Sequence, residues 1–415
     1  MTDDVTSRST GRPSSLQLAI LGEKMNQNAS RSMIQEIMTE FASLTGLSPA
    51  GKAPRRYLWT DAFAVCNFLE LYHQTGDDIY KHLALKLVDQ VHNILGRHRE
   101  DDSRMGWISG LDEQEGKMHP TRGGLRIGKK IDERKPADPF DERLEWDRDG
   151  QYYHYLTKWM HALNRVSRAT GDSIYNRWAI ELAKTAHARF TYVPPSGGQK
   201  RMFWKMSIDL SYPLVPSMGH HDPLDGFITY NQLQATVAKN SEKSTWPDLD
   251  AETADMADIC EGKRWATDDP LGIGGLLSDA FRVAQLVVED RFEKMELLQI
   301  MLEDSLLGLE SYVENNPLRL PADYRLAFRE LGLSVGLQAV ERLRGLFEEN
   351  PGIFNRQHVL PSRIEALRRY APLIEAVEAF WLEPRNRETN TWTEHREINM
   401  VMLATSLAPD GYLLL

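Results

Sequence analysis

Residues able to do acid–base chemistry stand beside indole rings at several places along the chain. Trp59 precedes Asp61, and Glu145, Trp146, Asp147 and Asp149 run into Tyr152. His220, His221, Asp222 and Asp225 form a third group, Trp265, Asp268 and Asp269 a fourth, and Trp392, Glu394 and His395 a last one. Indole faces stack on sugar rings, while carboxyls and imidazoles bond hydroxyls or move protons, so the combination suits carbohydrate chemistry. Asp147 and Asp149 lead as a catalytic pair. One would be a general acid kept protonated by its neighbour's charge, the other a base or a water-positioner. The plainer alternative is structural, because Asp at a helix start is a favoured cap and Arg148 can neutralise either acid. His221 is expected to transfer protons. Trp59, Asp61, Trp146, Tyr152, Asp222, Trp392 and His395 are expected to bind substrate.

Other chemistries find less support. The adjacent histidines lack the further ligands of a zinc site, so no metal is expected. Arg122-Gly-Gly-Leu-Arg126-Ile-Gly-Lys-Lys130 lacks the Gly-Lys-Ser/Thr ending of a phosphate loop, although Arg122 or Arg126 could meet an anionic substrate. No Gly-x-Ser-x-Gly elbow is present, and no cofactor is called for.

An internal repeat shows what must position these residues. Thr75, Gly76, Asp77, Ile79, Tyr80, Ala84, Leu87 and His92 recur as Thr170, Gly171, Asp172, Ile174, Tyr175, Ala179, Leu182 and His187, all at one offset of 95. Glycine after a helical run supplies a left-handed cap and the aspartate that follows caps the next helix, so each copy predicts a helical hairpin. The second helix of each copy has one apolar stripe, whereas Leu58 to Tyr72 is apolar on nearly all sides and should lie inside a ring. Extending the pattern gives inner helices starting near Leu58, Gln151, Gly226, Gly274, Ala322 and Thr393. Outer partners are expected near Ser32, Asp77, Asp172, Asp248, Glu293 and Pro361, with the helix of 31–44 closing the ring. Two long loops, Gly96 to Gly150 and Thr191 to Asp225, interrupt the helices, and apolar anchors in the first predict an ordered flap. Sustained period-two alternation is missing, which disfavours a sheet.

The expected architecture is therefore all-α, an (α/α)6 toroid of six hairpins over residues 31–415, behind a loose segment at 1–30. Asp and Glu number 60 against 49 Lys and Arg, a net charge of -11 that disfavours nucleic acid and anionic membrane surfaces as partners. Two cysteines, Cys66 and Cys260, make no disulfide framework, and no signal-type or membrane-spanning run is evident, so a cytoplasmic protein is expected.

Tyr57-Leu-Trp59-Thr60-Asp61 with Phe63, Leu69-Glu-Leu-Tyr72 and Thr75-Gly76-Asp77 resembles the opening hairpin of the six-hairpin glycosidases, notably the unsaturated glucuronyl hydrolases. His221-Asp222-x-x-Asp225-Gly226-Phe227 is similar to their His-Asp-x-Gly-Phe segment, with one extra residue and a later place in the chain. The N-acylglucosamine 2-epimerases share the same ring of hairpins. The resemblance implies a toroid whose central cavity binds a sugar or oligosaccharide. A glycoside hydrolase using Asp147 and Asp149 is the first expectation. The alternatives are a cofactor-free isomerase or 2-epimerase using His221 and His395, or a non-catalytic binding toroid.

Overall fold

Both Thr-Gly-Asp turns fold as their residue types dictate. Gly76 and Gly171 take φ of 69° and 75°, and Asp77 Oδ1 and Asp172 Oδ1 each accept the backbone N–H two residues on, at 3.0 Å. The threonines hydrogen-bond back into the preceding turn, through Leu71 O and Val166 O. Each hairpin is thus sealed by local chemistry before any packing.

The computed structural model describes residues 15–49, 53–239, 247–289, 295–354 and 359–415, with side chains from residue 28 onward. Helices α1 (Ser15–Leu44), α2 (Leu58–Thr75) and α3 (Asp78–Leu95) are followed by two short ones in the first long loop, α4 (Glu113–Met118) and α5 (Glu142–Asp147). Next come α6 (Tyr153–Thr170) and α7 (Ile174–Phe190), α8 (Asp222–Lys239) and α9 (Asp250–Cys260), and α10 (Pro270–Val288) and α11 (Met295–Glu314). After α12 (Ala327–Glu349) the chain forms α13 (Pro351–Phe354), α14 (Val359–Arg368), α15 (Pro372–Leu382), α16 (Asn390–Thr393), α17 (Arg396–Leu407) and α18 (Asp410–Leu413).

Among the described residues, α2, α6, α8, α10, α12 and α17 form the inner ring, each packed on the next, with α17 returning to α2. Every residue from Leu58 to Leu71 is buried, as the all-round apolar pattern of α2 requires, while α3 buries only the stripe Ala84, Leu87, Val88, Val91, His92 and Leu95. Polar side chains stitch the joints. Tyr153 Oη donates to Tyr230 Oη at 2.9 Å between α6 and α8, and Arg282 Nη2 to Thr229 Oγ1 at 3.1 Å between α10 and α8. Ser406 Oγ reaches Ser334 Oγ at 2.8 Å between α17 and α12, and Asn67 Nδ2 reaches Val401 O at 3.0 Å between α2 and α17. Glycine brings α10 and α12 together: a Cβ on Gly274 would lie 2.0 Å from Gly332 O. The outer layer is α1, α3, α7, α9, α11 and the pair α14 and α15.

The fold is therefore the all-α toroid of six hairpins. The inner helices start within about five residues of expectation, and α10, though long and apolar enough to cross a membrane, is mostly buried as a ring member. Helix α1 begins at Ser15, ahead of the expected start near Ser32, because the helical pattern continues upstream without a break; residues 1–14 of the segment expected to be loose lie outside the described residues. Short strands also occur where none was expected. β1 (Gln151–Tyr152) pairs with β4 (Lys205–Met206), which pairs with β5 (Pro213–Val215), and β2 (Thr191–Tyr192) pairs with β3 (Arg201–Met202). Two or three residues are too few to register as alternation, yet β1 and β4 tie both long loops to the start of α6.

Candidate active site in the central cavity

The inner helices open their N-terminal ends onto a cavity of about 500 Å³. Helical spacing decides which side chains enter it, because residues three or four apart share a face. Trp59 and Phe63 come from α2, His154 and Lys158 from α6, Asp222 and Asp225 from α8, Ser278 and Asp279 from α10, and Gly332 and Val335 from α12. Trp204, just ahead of β4, forms part of the wall, with its ring nearly parallel to that of His154. His220 and His221 cover the loop side, and Tyr412 of α18 lies at the other end.

Deeper in, charge is fully compensated. Lys158 Nζ sits 2.9 Å from Asp225 Oδ2, and Arg282 Nη1 sits 2.8 Å from Asp279 Oδ1 and 3.5 Å from Asp225 Oδ1. These cations outweigh burial and hold the Asp225 carboxyl below the usual range. Buried charges of this kind persist only when paired.

Asp222 differs. Among the described residues it has no Lys or Arg ion partner, and its Oδ2 is buried without a hydrogen bond. Burial, then the negative charge of Asp225, push its pKa up to about 8, so it carries a proton at neutral pH. Its Oδ1 faces His154 Nδ1 at 3.6 Å, and burial lowers His154 to about 4, leaving that imidazole neutral. A carboxylic acid and a neutral imidazole thus stand side by side. His221 Nε2 lies 2.7 Å from Trp265 O. A carbonyl only accepts, which assigns the ring hydrogen to Nε2 and leaves Nδ1 a bare acceptor in the neutral ring. Burial holds the His221 pKa below its ordinary 6.5.

The expected site residues are divided by the structure. Trp59, His221 and Asp222 line the central cavity. Asp61, Asp147 and His395 line a different one, of about 680 Å³, with Arg56, Lys129 and Glu397. There Asp61 accepts from Tyr57 N at 2.9 Å and pairs with Arg56 at 3.4 Å, and burial raises it to about 6.

Asp149, expected to share catalysis with Asp147, is fully buried outside the central cavity. Arg126 at 3.0 Å and Arg99 at 3.4 Å hold one of its oxygens, and the N–H groups of Gly128 and Gly150 bond the other. All its acceptor capacity goes to pinning the flap, and Asp147 is exposed. Trp146 and Tyr152 line a smaller cavity, of about 320 Å³, together with Trp204, the former half-exposed and the latter buried. Trp392 is buried against Trp381, with ring centroids 5.7 Å apart, so it packs the core.

The residues that the sequence did not single out are His154, Lys158, Trp204, Asp279, Arg282 and Tyr412. Lys158 was legible as the i+4 partner of His154 on an inner helix. Trp204 and Tyr412 come from outside the repeat, which offers no periodicity to place them. Among the described residues no three His, Cys, Asp or Glu side chains converge as a metal site.

No family model and no curated protein matches the chain. Solved structures with a similar course of the chain include a sugar epimerase from a ruminal bacterium, 12% identical with a TM-score of 0.39, covering 71% of this chain and 75% of that one. A cellobiose 2-epimerase from Spirochaeta thermophila DSM 6192 is 12% identical with a TM-score of 0.45, over 90% of this chain and 98% of that one. Another from Bacillus thermoamylovorans B4167 is 10% identical with a TM-score of 0.44, over 84% and 87%.

Proposed function

We propose that the protein is an enzyme acting on a small sugar in the central cavity, by proton transfer at a carbon beside the sugar's carbonyl. The supporting observation is the trio His154, Asp222 and His221: two neutral imidazoles and one protonated carboxyl at an aromatic-walled cavity. Such a trio supplies a base and an acid that are both in the right protonation state near pH 7.

Each residue takes a role from its place in the cavity. His221 Nδ1, with Nε2–H anchored on Trp265 O, removes the proton from carbon. The protonated Asp222 carboxyl, 3.6 Å from His154 Nδ1, is the acid that recharges that ring, whose own hydrogen is taken to lie on Nε2. His154 Nε2–H then donates to the carbonyl oxygen as it gains charge, and the Asp222 proton follows onto Nδ1. The product is an enediol. His221 returning its proton to the neighbouring carbon gives an isomer, and to the same carbon after the enediol has turned its other face to His221 gives an epimer; in either case the oxygen's proton goes back through His154 to Asp222. Trp59, Phe63 and Trp204 offer aromatic faces for the C–H side of the ring.

Hydrolysis with two carboxyls has less to draw on, because it needs a second free acid at a set separation. Asp225 and Asp279 are neutralised by Lys158 and Arg282, and Asp269 at the mouth pairs with Arg329. The histidine route is kept from the sequence reading, with His154 in place of His395.

The test is incubation of the protein with reducing sugars in deuterated water. Deuterium on carbon 1 or 2 of one sugar, with its epimer or isomer accumulating, is the expected result. Cleavage of a glycoside with no label on carbon would overturn the reading.

A further inference from the structure

The segment from Asp410 to Leu415 crosses the end of the ring opposite the mouth. Its backbone is held by inner-helix side chains: Arg165 Nε donates to Gly411 O at 3.0 Å, His161 Nε2 to Tyr412 O at 2.8 Å, and Gln285 Nε2 to Leu413 O at 2.9 Å. Arg342 Nε reaches Asp410 Oδ1 at 2.8 Å, and Gly411 lies so close to α2 that a Cβ there would be 2.6 Å from Cys66 O. The segment thus touches α2, α6, α10 and α12 and blocks the cavity's far end.

Tyr412 is its one side chain in the cavity. Its ring stacks on Phe63, centroids 4.3 Å apart, and Phe63 packs on Trp59 at 4.5 Å. An aromatic ladder therefore runs from mouth to floor along one wall. Lys158, Ser278 and Asp279 line the same cavity. Although Tyr412 is buried, no described residue hydrogen-bonds its hydroxyl, and Lys158 and Asp279 are near enough to perturb it electrostatically. A hydroxyl so placed has hydrogen-bonding capacity left for a ligand.

We propose that Tyr412 is a specificity-determining residue, whose hydroxyl at the blind end binds the terminal hydroxyl of a hexose lying against the Trp59–Phe63 ladder. This rests on the proposed function for the ligand class. The blind end accepts a free hydroxyl and excludes substituents there, so any glycosyl extension of the substrate must point to the mouth.

Binding can test this apart from turnover. Titration calorimetry of the full chain with D-glucose, D-mannose and D-galactose, each beside its 6-deoxy counterpart, reads the contribution of that hydroxyl. For a sugar that binds, the wild type is expected to favour the hexose about tenfold, as one hydrogen bond provides. Tyr412→Phe keeps the ring stack and should remove most of that preference, with its melting temperature near wild type. Equal preference in both proteins, or none in the wild type, would overturn the assignment of Tyr412 while leaving the deuterium test untouched. A wild type that bound no hexose yet labelled a different sugar would overturn this inference alone.

Discussion

Two cavities meet at the first turn of α2, and the Asp222 cluster in one is held unlike the Asp61 cluster in the other. In the central one, Asp222 Oδ2, His154 Nδ1 and His221 Nδ1 have no hydrogen-bond partner among the described residues. In the flap-side cavity, Asp61 is tied to Arg56 and Tyr57, Glu397 to Arg55, and neighbouring Asp149 to two arginines. Fully paired acids fix architecture, and unpaired neutral ones can exchange protons. The contrast explains why clusters alike in composition end in different roles.

Several measurements would break or sharpen this contrast. The largest effect is expected from His221→Ala, which should cut the exchange rate about 10²- to 10⁴-fold while leaving thermal unfolding near wild type. His395→Ala, in the other cavity, should leave the rate within a few fold; similar losses in both variants would erase the distinction. Asp149→Ala is expected to do the reverse. Leaving Arg126 and Arg99 without their buried partner should lower stability by about 3 kcal/mol in denaturant titration, with turnover of the folded fraction retained.

The pH profile comes next. His221 must have lost its proton, so the rate should fall as pH drops through a value below 6.5. Asp222 must keep its proton, so the rate should also fall as pH rises through about 8. Stability follows the same sign: the folded chain holds a proton on Asp222 that the unfolded chain releases above its ordinary 3.8, so this group's contribution declines as pH rises from there to about 8. Asp222→Asn should abolish the alkaline limb and that decline. The smallest effect is expected from Gly76→Ala, about 1 kcal/mol of stability from a positive φ at an open turn, without change in rate.

Much of the fold was legible because the Thr-Gly-Asp turns and the all-round apolar α2 are local signals. The site was legible only in part, for a geometric reason. Successive helical residues turn by about 100°. Trp59 therefore faces the central cavity while Asp61, two positions on, faces the flap. A cluster of chemistry-bearing residues at a helix start marks the right end of the ring, and rotation then sorts its members between cavities. Asp147 and Asp149 precede α6, beyond the reach of that rule, and the pairing of Asp149 with the distant Arg99 and Arg126 leaves no mark in local spacing. His154 and Lys158, one turn apart on an inner helix, were the better pair to read.

The most direct test of the account is where a sugar binds. A crystal structure with a sugar that the protein labels in deuterated water should place the ring between Trp59 and Trp204, its carbonyl end near His154 and His221. Density for that sugar beside Asp61, Lys129 and His395 instead would contradict the account.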